Sequence, residues 1–101
     1  MSHFKADREA VIKKISAELG IGAAEAEAKL AVLEKLGEDY APYVDAWFNG
    51  APTNGEANGV TVFEIRDRLG LHYLDAVQRL HYFSENPENV KFFKLGFYSA
   101  R

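Results

Sequence analysis

Apolar residues recur at helical spacing from the start of the chain. Over residues 6–19, Val11, Ile12, Ile15 and Leu19 fall on one stripe while Arg8, Lys13, Lys14 and Glu18 lie off it, which predicts an amphipathic helix. Gly20 follows directly and supplies the left-handed residue that ends many helices, with Ile21 placed to fold back over the last turn. Residues 23–36 are rich in Ala, Glu, Lys and Leu, all strong helix formers, and predict a second helix that buries Ala26, Leu30, Leu33 and Leu36 before Gly37 stops it. A third helix is predicted over 39–48, where Tyr40, Tyr43, Val44, Trp47 and Phe48 recur and Pro42 sits in the first turn. That aromatic stripe reads as core packing, with a face for a partner or ligand as the alternative.

Residues 49–59 contain three Gly, three Asn and one Pro and almost nothing that packs, so a flexible surface loop or linker is expected. No Lys follows the glycines, so the segment is not a phosphate-binding loop. Val60 and Thr61 suit a short strand. Thr61-Val62-Phe63-Glu64 then matches a capping box, in which Thr61 caps the first amides and Glu64 reaches back. Val62, Ile65 and Leu69 give a fourth helix its apolar side, Gly70 ends it, and a fifth is predicted over 73–84 with Leu74, Val77 and Leu80 inward. After a turn at Pro87, residues 90–98 are aromatic and β-branched enough to predict a strand, able to pair near Val60 or with a partner's sheet. The expected core comprises Ile15, Leu19, Leu30, Leu33, Trp47, Phe63, Ile65, Leu69, Val77, Leu80 and Phe93.

The chain also echoes itself at an offset of fifty: Ile15-Ser16-Ala17-Glu18-Leu19-Gly20-Ile21 resembles Ile65-Arg66-Asp67-Arg68-Leu69-Gly70-Leu71. Either a duplication or one shared rule for joining two helices produces this.

At 101 residues the expected organisation is a single domain, with a helical hairpin over 1–37, the 49–59 loop and a second helical pair over 60–98. One Trp, five Tyr and seven Phe suffice for a real core. The apolar runs are too short for a membrane helix, no secretory signal opens the chain, and the absence of cysteine suits a cytoplasmic setting and excludes thiolate zinc sites and cysteine nucleophiles. The net charge of −3 is uneven: residues 1–58 carry six Lys/Arg against ten Asp/Glu, whereas 59–101 carry six against five. An anionic partner would therefore favour the second half.

The segment TVFEIRDRLGLHYLDAVQRL, from Thr61 to Leu80, resembles the helix-turn-helix of bacterial transcription regulators, and residues 59–98 resemble its winged-helix form. The resemblance implies an α+β, mostly α fold of about five helices with a small C-terminal strand element. It also implies a DNA-binding regulator acting as a dimer. Carried over, the second helix of the motif would expose His72, Tyr73, Asp75, Gln78, Arg79 and Tyr82, with Gln78 suited to adenine and Arg79 to guanine. Arg66, Arg68, Lys91 and Lys94 would meet phosphates. This sequence departs from the pattern in placing Arg66 where a small residue is usual, and in placing Asp75 near phosphates.

The competing reading is a protein-interaction module, such as an inhibitor, adaptor or accessory subunit, without nucleic-acid binding. Catalysis is not expected. Ser2, Ser16, Ser84 and Ser99 lie in no nucleophile elbow, and His72 and His81, nine apart, face opposite sides of one helix. His81 and Glu85 would share a face, but two ligands do not make a metal site. No cofactor is implied.

Overall fold

Asp7 opens the first helix of the computed structural model, which describes residues 3–96. Its carboxylate accepts from the Ala10 amide at 3.3 Å, and α1 runs over Arg8–Leu19. Gly20 then turns left-handed at φ 64°, ψ 38°, and the Ile21 amide reaches back to the Ser16 carbonyl at 3.1 Å, the bonding of a Schellman end. Gly22 leads into α2, Ala23–Glu34. A short 3-10 turn over Glu38–Tyr40 continues into α3, Ala41–Phe48, with Pro42 in its first turn.

The chain divides into two units, residues 1–52 and 53–101. The first buries Phe4, Val11, Ile15, Ala26, Leu30, Leu33, Tyr40, Val44 and Trp47. Its polar groups tie the helices to one another. The Asp45 carboxylate accepts from the Lys5 and Ala6 amides, the Lys14 ammonium caps α3 through the Trp47 and Phe48 carbonyls at 3.0 and 3.2 Å, and Arg8 bridges Glu27 and Glu34 at 3.0 and 2.9 Å. Hydrogen bonds donated to those two carboxylates, Glu34 foremost, hold the Arg8 guanidinium more firmly protonated than usual.

The second unit opens with a two-residue hairpin. Strands β1, Glu56–Ala57, and β2, Val60–Thr61, pair antiparallel with Glu56 opposite Thr61 and Ala57 opposite Val60. Asn58 and Gly59 both adopt positive φ, 53° and 83°, as the tight turn matching strand twist requires. The second half of the expected loop is therefore structured. Asn58 donates to the Phe83 carbonyl at 3.0 Å, Asn54 accepts from the Phe63 amide at 2.9 Å, and Val60 is fully buried.

Helix α4, Val62–Leu69, starts on Thr61, whose hydroxyl accepts from the Glu64 amide at 3.2 Å. The reciprocal half of the capping box is not made, because the Glu64 carboxylate faces Arg68 and Lys94 instead. Gly70 repeats the geometry of Gly20, at φ 65°, ψ 40°, with the Leu71 amide on the Arg66 carbonyl at 3.0 Å, and α5 spans Tyr73–Glu85. The fifty-residue echo is thus a structural one: Ile15 and Ile65, Ala26 and Ala76, Leu30 and Leu80, and Leu33 and Phe83 are buried at matching positions of the two hairpins.

The expected strand over 90–98 is corrected. Residues 88–94 form α6, Glu88–Lys94, and Phe97 and Tyr98 lie outside the described residues. The reason is the odd spacing of the two residues that must go inside. Val90 and Phe93 are both buried, which a helix achieves on one face, whereas a strand would send them to opposite sides. Phe93 packs against Phe83 with ring centroids 5.3 Å apart, and Lys91 and Lys94 complement the helix C-terminus. Val60 accordingly pairs with Ala57 and not with a C-terminal strand. The fold is mostly α with one small antiparallel sheet. Of the expected core, Leu19, Phe63 and Leu69 are half-buried and the other eight residues are buried.

Because Gly20 and Gly70 hold left-handed backbone, replacing either with Ala is expected to cost about 1–2 kcal/mol of its unit's stability in denaturant unfolding. Gly22→Ala, at φ −71°, is expected to cost less than either.

A candidate binding face on the fifth helix

The inner side of α5 is fixed by Leu74, Ala76, Val77, Leu80 and Phe83, all buried. That leaves Asp75, Gln78, Arg79 and Tyr82 on the opposite side, with Gln78 exposed, Asp75 and Arg79 half-buried, and Tyr82 38% exposed. Together with Leu71 they line a groove of about 330 Å³. Asp75, Gln78 and Tyr82 are spaced by three and four residues, so they form a single stripe along the helix, and Leu71 lies in the turn before it. Arg79 stands beside it with its guanidinium 5.9 Å from the Tyr82 ring centre.

Four of the residues expected on an exposed recognition helix are thus brought together. Tyr73 is not among them, and this part of the expectation is corrected. Tyr73 is 5% exposed, and its hydroxyl accepts from the Thr53 amide at 3.1 Å and donates to the Thr53 carbonyl at 2.8 Å, tying the segment before the hairpin onto α5. His72 serves as the α5 cap, its Nδ1 accepting from the Leu74 amide at 3.2 Å.

The expected phosphate contacts are occupied within the fold. Arg66 bonds Asp67 at 2.8 Å and lies over the Phe63 ring at 4.4 Å. That hydrogen bond, more than charge alone, holds the Asp67 carboxyl below its usual range. Arg68 reaches Glu64 at 3.4 Å and the Lys94 carbonyl at 3.4 Å, with its guanidinium 4.9 Å from the Phe93 ring centre. Lys94 donates to the Gly59 carbonyl at 2.8 Å and to Glu64 at 3.3 Å. Lys91 is exposed on α6, a separate element. Glu64 therefore gathers two of the four cations proposed for phosphate, and Asp67 takes a third.

Sequence reasoning missed Leu71 as part of the face, although its place four residues before Asp75 marks it. Phe92, 47% exposed on α6, and Leu95, 63% exposed just after it, add apolar surface in the same unit. The expected His81–Glu85 pair forms at 3.4 Å because α5 extends to Glu85. Among the described residues, no three His, Cys, Asp or Glu side chains gather to hold a metal ion, and no helix is long and apolar enough to cross a membrane.

No protein-family model, characterised protein or solved structure matches this chain.

Tyr73→Phe is expected to cost about 0.5–1.5 kcal/mol of stability. It should also speed hydrogen exchange at the Thr53 amide, which a role confined to ring packing would leave unchanged. In a carboxyl-detected NMR titration, Asp67 is expected to titrate below an ordinary Asp and to return to the ordinary range in Arg66→Gln.

Proposed function

We propose that this protein is a non-enzymatic protein-interaction module acting in the cytoplasm, and that α5 is its binding face. The observation that carries this reading is the fate of the cations. Arg66, Arg68 and Lys94 are each engaged by a carboxylate of their own unit, so the surface around α5 lacks the continuous positive track that phosphate binding requires. The face itself mixes one acid, one base, an amide and two apolar side chains in a shallow groove, a composition suited to another polypeptide. Exposed Phe92 on α6 and Leu95 just after it add apolar surface in the same unit.

A second reading is a DNA-binding regulator of the helix-turn-helix kind. It is favoured by one observation: α5 follows a three-residue turn and carries Gln78 and Arg79 on its outer side, the residue types that read adenine and guanine. With 88–94 helical, this reading takes the unwinged form.

Two measurements separate these readings. A labelled generic duplex titrated with protein at low salt is expected to show no salt-sensitive anisotropy change. Salt-sensitive binding lost in Arg79→Ala would establish the DNA reading instead. A photo-crosslinking residue at Gln78 is expected to yield protein adducts in cells of the source organism, and one at exposed Lys13 is not. No adduct at Gln78 would overturn the interaction reading.

A further inference from the structure

Every asparagine in the 49–59 segment is followed by glycine: Asn49-Gly50, Asn54-Gly55 and Asn58-Gly59. The pair carries its own chemistry, because a glycine amide, with no side chain beside it, can reach the side-chain carbonyl carbon of the residue before it. Asn86 and Asn89 lack this option, since Pro87 has no N–H and Val90 is β-branched. Which of the three pairs reacts depends on what holds the attacking nitrogen and the departing amide group.

Two of the three are held. Gly50 closes the end of α3, its amide donating to the Trp47 carbonyl at 3.0 Å. At the hairpin tip the Gly59 amide donates to the Glu56 carboxylate at 3.3 Å, and the Asn58 Nδ2 group donates to the Phe83 carbonyl at 3.0 Å. Asn58 therefore has both its attacking nitrogen and its departing group engaged.

Asn54-Gly55 is arranged differently. Asn54 is exposed and belongs to neither a helix nor a strand. Among the described residues, neither the Gly55 amide nor the Asn54 Nδ2 group donates a hydrogen bond. The bond that Asn54 does make falls on Oδ1, which accepts from the Phe63 amide in the first turn of α4 at 2.9 Å. Oδ1 is the atom on which negative charge develops when the carbonyl carbon is attacked, so this donor stands where an oxyanion is stabilised. The positive end of α4 acts in the same direction.

We propose that Asn54 is a site of spontaneous modification, at which the chain converts its own asparagine to aspartate and isoaspartate with water as co-reactant. The site does not depend on what α5 binds. The Gly55 nitrogen bonds to Asn54 Cγ and gives up its proton to solvent. The Cγ–Nδ2 bond breaks, Nδ2 leaves as ammonia, and a cyclic succinimide joins the neighbouring residues. Water then opens the ring. Addition at Cγ gives aspartate, and addition at the backbone carbonyl carbon gives isoaspartate, whose main chain runs through Cβ and Cγ. Nothing is oxidised or reduced. The aspartate product keeps its carboxylate where the Phe63 amide and the helix dipole favour it. Isoaspartate instead lengthens the main chain between Thr53, which Tyr73 holds, and Gly55, whose carbonyl accepts from the Val62 amide at 2.9 Å.

The test holds the full chain, folded, at mildly alkaline pH and samples it by fragmentation mass spectrometry, which assigns the exchange of NH2 for OH to one residue. Asn54 is expected to convert at least about threefold faster than Asn49 or Asn58, the factor set by the hydrogen bonds that must open at those two sites. In denaturant its lead is expected to vanish. Gly55→Ala, whose methyl group crowds the attacking nitrogen, is expected to slow conversion at Asn54 by about tenfold or more and to leave Asn49 and Asn58 unchanged. Gly55 does not hold positive φ, so alanine suits its backbone. The comparison among the three wild-type sites needs no variant to fold.

Equal rates at the three sites in the folded chain would overturn the proposal. So would a lead by Asn49 or Asn58, or no conversion at any of them. A lead of Asn54 that persists in denaturant would overturn it too, because the reactivity would then belong to the local sequence and not to the fold.

Discussion

Each unit of this protein depends on one left-handed glycine between two helices. Gly20 and Gly70 adopt almost the same dihedral angles, and in both places the next amide bonds back to the carbonyl five residues earlier. That turn sends the second helix back along the first with a fixed rotation. The rotation decides which residues meet: Ile15 goes inside with Ala26 and Leu30, and Ile65 with Ala76 and Leu80. It equally decides what remains outside. The outer stripe of α5 is the complement of a buried stripe set by the turn, so the candidate binding face follows from a single backbone conformation open to glycine and costly to other residues.

The second organising effect is local charge neutralisation. The second half of the chain looks mildly basic when its residues are counted, but counting ignores who sits next to whom. Glu64, in the first turn of α4, draws in Arg68 from four residues on and Lys94 from α6, while Asp67 takes Arg66. Exposed pairs of this kind contribute little to stability. Their consequence is electrostatic: a surface whose cations already hold carboxylates presents weak long-range attraction to a polyanion. The capping-box motif misled in the same way, because the Glu64 side chain found better partners than the amide behind it.

The first, second and fourth helices were legible because each combined a helical apolar period with a glycine stop, and the fifth because its apolar period follows Gly70 and ends before Pro87, signals that local chemistry alone produces. Of the five groove residues 71, 75, 78, 79 and 82, the last four were read as exposed from the motif, but Leu71 was not read as part of their face. Two elements were hidden. The sixth helix is written in β-formers, and its identity turns on Val90 and Phe93 both being needed inside against Phe83, a tertiary requirement that overrides propensity. The hairpin was hidden by its composition: Asn58-Gly59 is a strong turn signal, yet within a Gly- and Asn-rich stretch it read as loop. Tyr73 was placed outside because residue type was weighed without its partner, the Thr53 backbone twenty residues away.

The directionality of the α5 face has a simple physical origin. An acid in the first turn of a helix is favoured by the partial positive charge of the helix N-terminus, and a base further along is favoured by the opposite pole and by the acid one turn before it. Asp75 meets the first preference, and Arg79, in the middle of the helix, meets the second through the acid four residues before it. The same order recurs on α2, where Glu25 in the first turn precedes Lys29 by four residues, so on both hairpins it records how the second helix is stabilised within its own chain.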